Sequence, residues 1–231
     1  MSTSSLNTFR DLCTKFESIV REKYQLDESQ SPYYFISKQE EFKAYKADIN
    51  VIRTIRNTIS HEDIKFQEGY GIEISQIACQ SLNRLIDAIV NPPLVKERYI
   101  KNMYFASLNS SVKEVIEYMG KNKISHVPIL DERKKLLGVF SENTIFSKLS
   151  DEEIIGVDEN EKISDYLKYI DIHNHSCEYF DFIAINEKLF DAKEHFNNSI
   201  KNDKRLALLF VTKNGKDNQE ILGLLTPWDL L

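Results

Sequence analysis

Asn91-Pro92-Pro93 separates two kinds of hydrophobic periodicity, and that division constrains the fold more than any other feature of the chain. Paired prolines cannot continue a helix, since each lacks a backbone N–H and crowds the preceding turn. Before them, apolar residues recur at helical spacing; after them, short strand-like runs alternate with helices. The expected fold is therefore α+β and multidomain: an all-α bundle at residues 1–92, then a mixed domain at 93–231. Each part is long enough to bury a core of its own.

Residues 5–24 place Phe9, Leu12, Cys13, Phe16, Ile19, Val20 and Tyr24 on one helical face. Leu26 to Phe35, with Pro32 and several short polar residues, reads as a connection. A second helix is expected from Ser37, with Glu40 completing a capping box, through to His61. A third runs from Ile72 to Val90, with Ile74, Ile77, Ala78, Leu82, Leu85, Ile86 and Ile89 facing inward.

Beyond the prolines, one order of elements occurs twice. Val112–Lys121 predicts a helix, Ser125–Asp131 and Leu136–Ser141 predict strands, and a helix follows from Glu142. The second set is a strand at Phe182–Asn186, a helix at Leu189–Ile200, strands at Leu206–Thr212 and Ile221–Leu225, and Pro227 in a helical first turn. An internal repeat accounts for both. Gly138-Val139-Phe140-Ser141-Glu142-Asn143-Thr144 and Gly223-Leu224-Leu225-Thr226-Pro227-Trp228-Asp229 close the two copies. Both resemble the G-h-x-[ST]-x-x-D element of CBS domains, and the run VKEVIEYMGKNKISHVPILD extends the likeness over most of the first copy. The resemblance implies a tandem CBS pair, repeat one at about 95–150 and repeat two at about 160–231, of the kind that senses adenine nucleotides such as ATP, AMP or a signalling dinucleotide. It assigns ligand binding to Thr226, Asp229 and Ser141: a hydroxyl and a helix N-terminus for phosphate, an aspartate for a ribose diol. The competing reading is helix capping by Thr226 and Asp229 without a ligand. Thr144 stands in the first copy where the family has aspartate, so that corner lacks the carboxylate for a ribose diol. His126 reads as structural, Trp228 as core or interface, and His173 and His175 as solvated residues of a polar loop; no metal site is expected.

The N-terminal part carries a second pattern, Val51 to Asp63, VIRTIRNTISHED. Val51, Ile52, Ile55 and Ile59 form an apolar stripe flanked by Arg56, Asn57 and His61. A guanidinium can grip phosphate oxygens, and an imidazole can move a proton near neutral pH. Arg56-Asn57-Thr58-Ile59-Ser60-His61 resembles the R-[polar]-x-x-x-H motif of HEPN-domain proteins, helical bundles that include metal-independent endoribonucleases and toxins. That resemblance implies RNA cleavage to 2′,3′-cyclic phosphate ends with no catalytic cofactor: Arg56 stabilises charge, His61 transfers protons and Asn57 orients the phosphate or His61. The competing reading makes Arg56 and His61 caps of a helix end, and the bundle an inactive dimerisation or docking domain.

The formal charge of −6 argues against broad nucleic-acid binding, so an RNA site would have to be a local patch, with Arg53, Arg56 and Lys65 to supply it. Three dispersed cysteines, a polar start and no long apolar run lead to the expectation of a cytoplasmic protein that does not enter a membrane. The combined expectation is a homodimer, joined through both domains, in which a nucleotide-sensing CBS pair controls a HEPN-type ribonuclease; the alternative is a nucleotide-sensing regulator with a catalytically inactive helical domain.

Overall fold

A computed structural model describes residues 2–60, 65–66, 69–70, 73–153, 156–198, 200–201 and 203–230. They fall into two units, Met1–Pro92 and Pro93–Leu231.

In the first unit, α1 (Ser2–Tyr24) buries Phe9, Cys13, Phe16 and Val20, the stripe its spacing requires. Helix α2 (Pro32–Lys38) starts earlier than expected, because Ser31 caps the Tyr34 N–H and Pro32 supplies a pre-set φ at the first helical position. The single helix expected from Ser37 to His61 is broken. Gln39 is extended, a 3₁₀ segment (Glu40–Tyr45) follows, and α3 (Lys46–Ile59) begins anew. The break drives Phe42 into the core beside Ile36, Ile49 and Ile52, and Tyr33 stacks on Phe16 at 4.6 Å. A two-residue hairpin, β1 (Lys65–Phe66) with β2 (Gly69–Tyr70), precedes α4 (Gln76–Val90), which Ser75 caps. Leu82, Leu85, Ile86 and Ile89 of α4 reach the core as expected, whereas Ile77 and Val51 point to solvent. Lys23 closes the bundle by donating to the Ile89 carbonyl.

The second unit repeats one sub-fold. In the first copy, α5 (Val112–Asn122) leads to the antiparallel pair β3 (His126–Leu130) and β4 (Leu136–Ser141), then to α6 (Glu142–Asp151). Ala106 bridges β3 in parallel on its other side. A short helix α7 (Leu167–Ile170) precedes the second copy, in which β5 (Glu178–Ala184) lies parallel to β7 (Lys204–Thr212), and β7 lies antiparallel to β8 (Gly223–Leu225). Helix α8 (Leu189–Asn197) connects β5 to the two-residue β6 (Ile200–Lys201), which pairs with β7. A 3₁₀ turn (Pro227–Leu230) stands where the first copy has α6.

Each copy takes its lead-in segment from the other. Val95 and Lys96 donate to the Glu187 and Ile185 carbonyls, and Val95 packs with Ile183, Leu209 and Leu225. Symmetrically, Val112 and Ile163 exchange bonds with Glu161 and Ser110, and Ile163, Tyr166 and Ile170 fill the first core. The two motif glycines make this exchange possible. A Cβ on Gly138 would fall on the Ile170 carbonyl, and one on Gly223 would fall on the Ile100 carbonyl, so the incoming backbone needs a residue without a side chain.

Candidate functional site

Helix α3 carries Arg56 and Asn57, but Arg56 is not free. Its Nε and one Nη donate to the two Glu17 oxygens at 2.8 and 3.4 Å, a two-point pair with α1. His61 and the Lys65 side chain lie outside the described residues. Arg10 donates to the Ile59 carbonyl at 3.0 Å, so capping of α3 is shared by a residue from another helix. Arg21, Arg53, Arg56 and Asn57 nonetheless line one open cleft of about 340 Å³ together with Glu17.

The second unit holds a larger cleft of about 470 Å³. Its apolar and aromatic lining includes Ile100, Met103, Leu208, Leu224, Trp228, and Tyr104 stacked on Tyr118 with ring centres 3.7 Å apart. The polar contributions come from Asn102, Asn122, Lys123, Ser125, His126 and Thr226. Their placement follows from local structure. Lys123 adopts a left-handed conformation that ends α5, which brings Lys123 and Ser125 to the rim before β3 starts. Thr226 sits where β8 stops, and its N–H and hydroxyl both donate to Asp229 Oδ2 at 2.7 Å. Asp229 therefore serves as a cap, and the four-residue turn after Thr226 offers little helix dipole. Trp228, expected in a core or interface, is 80% exposed at the cleft edge.

The first copy makes the same corner differently. Ser141 and Thr144 cap each other, the Ser141 N–H donating to Thr144 Oγ1 at 3.0 Å, as the Thr226 N–H does to Asp229. Ser141 is buried, does not line the cleft, and donates its hydroxyl to Glu178 Oε1 at 2.8 Å. Glu178 is itself buried, with His126 Nε2 at 2.9 Å on one oxygen and His175 Nδ1 at 3.2 Å on the other. Burial alone would raise its pKa. The hydrogen bonds from His126, His175 and Ser141, with the attraction of His126 in its protonated form, outweigh that and hold the carboxyl well below the usual carboxylate range. His175, expected in solvent, is therefore a buried member of this cluster, edge-on to Phe180 at 4.8 Å. Glu178 was missed by the sequence reading, although one signal was present. In Glu178-Tyr179-Phe180 the charged residue falls on the inward side of a strand, where it requires partners.

Residues 95–151 match the CBS domain. Among solved structures, a CBS domain pair in complex with 5′-methylthioadenosine and S-adenosyl-L-methionine is 21% identical and aligns over 60% of this chain and 93% of its own, with a TM-score of 0.40. The CBS domains of a transcriptional regulator from Streptococcus pneumoniae are 16% identical over 59% of this chain and 95% of theirs, TM-score 0.40. A functionally unknown conserved protein domain from Neisseria meningitidis is 15% identical over 82% and 99%, TM-score 0.44. A homoserine O-acetyltransferase of Methanobrevibacter ruminantium is 23% identical over 91 residues, 39% of this chain and 18% of that enzyme, so the chain spans under a fifth of that curated relative. Among the described residues, no group of three or more His, Cys, Asp or Glu is placed to hold a metal ion, and no helix is long and apolar enough to cross a membrane.

Proposed function

We propose that the second unit, a tandem CBS pair at 93–231, is a sensor that binds one adenine nucleotide in the cleft at Thr226. The observation that carries this reading is the composition of the cleft: a stacked tyrosine pair and aliphatic side chains, with Lys123, Ser125 and Thr226 among the polar groups. An adenine ring gains apolar burial against the first set, and phosphate or ribose oxygens find donors and a cation in the second. Asp229 holds Thr226 in place until a ribose hydroxyl competes for the same carboxylate. Ser141 is committed to Glu178, which supports one ligand per chain rather than two. Calorimetric titration of the intact chain with AMP, ADP and ATP tests this. Saturable binding of at least one, weakened at least tenfold in Asp229→Asn and Thr226→Val, is the expected result, and no binding of any of them overturns it.

The first unit, a HEPN-like bundle on this reading, is the responding element, and the protein acts as a homodimer that a nucleotide biases between arrangements. Between its two outputs, docking to a partner is favoured over RNA cleavage, because Glu17 already neutralises the guanidinium that would meet a phosphate. The ribonuclease reading rests on Arg21, Arg53, Arg56 and Asn57 sharing a cleft. Incubation of the intact chain with a labelled mixed-sequence RNA in EDTA decides between them.

A further inference from the structure

Ser125, His126 and Glu178 form a hydrogen-bonded chain that runs from the cleft into the interior. Ser125 Oγ lies 2.7 Å from His126 Nδ1, and His126 Nε2 lies 2.9 Å from Glu178 Oε2. Ser125 is exposed and lines the cleft, next to Lys123; Glu178 is 1% exposed. The inner end has only one sense. An ionised carboxylate can only accept, so His126 Nε2 carries a proton and donates it. The state of Nδ1 then decides what Ser125 offers. With His126 neutral, Nδ1 accepts the Ser125 hydroxyl proton and the cleft sees oxygen lone pairs. With His126 protonated, Nδ1–H donates to Ser125 Oγ and the hydroxyl proton turns outward.

We propose that Ser125 reads the anionic end of the cleft ligand, and that the Glu178-held His126 takes up a proton on binding so that Ser125 can donate to a phosphate oxygen. This rests on the nucleotide reading above and adds to it which end of the nucleotide is recognised, and by what. Lys123, two residues before Ser125, lines the same cleft and supplies a cation for that anion. The proton comes from solvent, forms a new N–H bond on Nδ1, and leaves when the ligand does. The surroundings tolerate the added charge. Glu178 faces His126 from β5, His175 lies on the other Glu178 oxygen, and Glu142 opens α6 with its N–H on the Ser125 carbonyl. Lys123, Tyr104 and Tyr118 border the cleft, and Arg205 stands opposite Glu178 in the β5–β7 register, turned to solvent. Ser125 and His126 are positioned by the break between α5 and β3, and Glu178 is a positioning residue that acts only through His126.

The test is calorimetry of the intact chain with AMP and with adenosine, each in two buffers of different ionisation enthalpy, at a pH above the second phosphate pKa (~6). AMP binding is expected to take up a sizeable fraction of ~1 proton and adenosine binding none. Ser125→Ala, an exposed change with little effect on folding, should weaken AMP about tenfold, leave adenosine within about twofold, and abolish the uptake. Glu178→Gln should abolish the uptake as well; if that variant does not fold, Ser125→Ala alone decides. AMP binding without proton uptake, or Ser125→Ala weakening AMP and adenosine alike, overturns the proposal while leaving the nucleotide reading intact. If neither compound binds, both readings fall.

Discussion

Replacing Glu178 by leucine removes the one carboxylate on which His126, His175 and Ser141 converge, and the cost can be worked from the contacts. Three hydrogen bonds of 2.8, 2.9 and 3.2 Å are lost. Ser141 keeps Thr144 as a partner and His126 keeps Ser125. Among the described residues His175 keeps no partner, since none meets its Nε2. Two desolvated imidazole nitrogens at about 1 to 3 kcal/mol each, partly offset by the added apolar burial, give a loss of about 3 kcal/mol at neutral pH. The pH dependence has a fixed sign. Three hydrogen bonds and the attraction of His126 in its protonated form overcome desolvation and hold the folded-state pKa of Glu178 below its unfolded value. Its contribution is therefore complete above the unfolded carboxylate pKa of about 4.3 and fades as pH falls through the lower folded value. Urea titrations followed by the fluorescence of Trp228, the single tryptophan and a reporter of the second unit, measure the difference between wild type and Glu178→Leu. A difference under about 0.5 kcal/mol, or one that grows as pH falls below about 4, would refute the reasoning.

Gly138→Ala and Gly223→Ala should each destabilise the second unit by about 1 to 3 kcal/mol in the same titration, because the new methyl meets the carbonyl of an exchanged lead-in segment; indifference at either site would mean that the segments do not approach as described. Arg56→Ala and Glu17→Ala should each cost less than about 1 kcal/mol, since the pair is partly solvated. Under the docking reading the chain leaves labelled RNA uncut in EDTA; chelator-resistant cutting that Arg56→Ala abolishes would reinstate the ribonuclease. Tyr166→Phe should loosen the lead-in to the first copy by about 1 kcal/mol, because its hydroxyl donates to Glu161, the same carboxylate that Lys148 holds at 2.6 Å. Urea midpoints check that figure.

Elements built from local periodicity were legible in the sequence: α5, β4 and the start of α6 lie where apolar spacing and Ser141 placed them. The break between α2 and α3 was not, because it depends on Phe42 turning into a core assembled by other helices. The exchanged lead-in segments were likewise hidden, since no local pattern says that Val95 packs on Ile183 rather than on its own copy. At the cleft, Thr226 was found from its motif, whereas Tyr104, Tyr118 and Ser125 are brought together by packing of remote stretches. The commitment of Ser141 to Glu178 spans 37 residues, and spacing within the motif carries no trace of it.

The central claim is that an adenine nucleotide occupies the cleft at Thr226, and Trp228 stands at its edge as the only indole of the chain. Titration of the intact protein with AMP, ADP and ATP while following Trp228 emission tests it most directly. The account predicts a saturable change with one site per chain for at least one nucleotide, lost in Thr226→Val. An emission spectrum that no adenine nucleotide moves, with no binding heat in parallel, would contradict it.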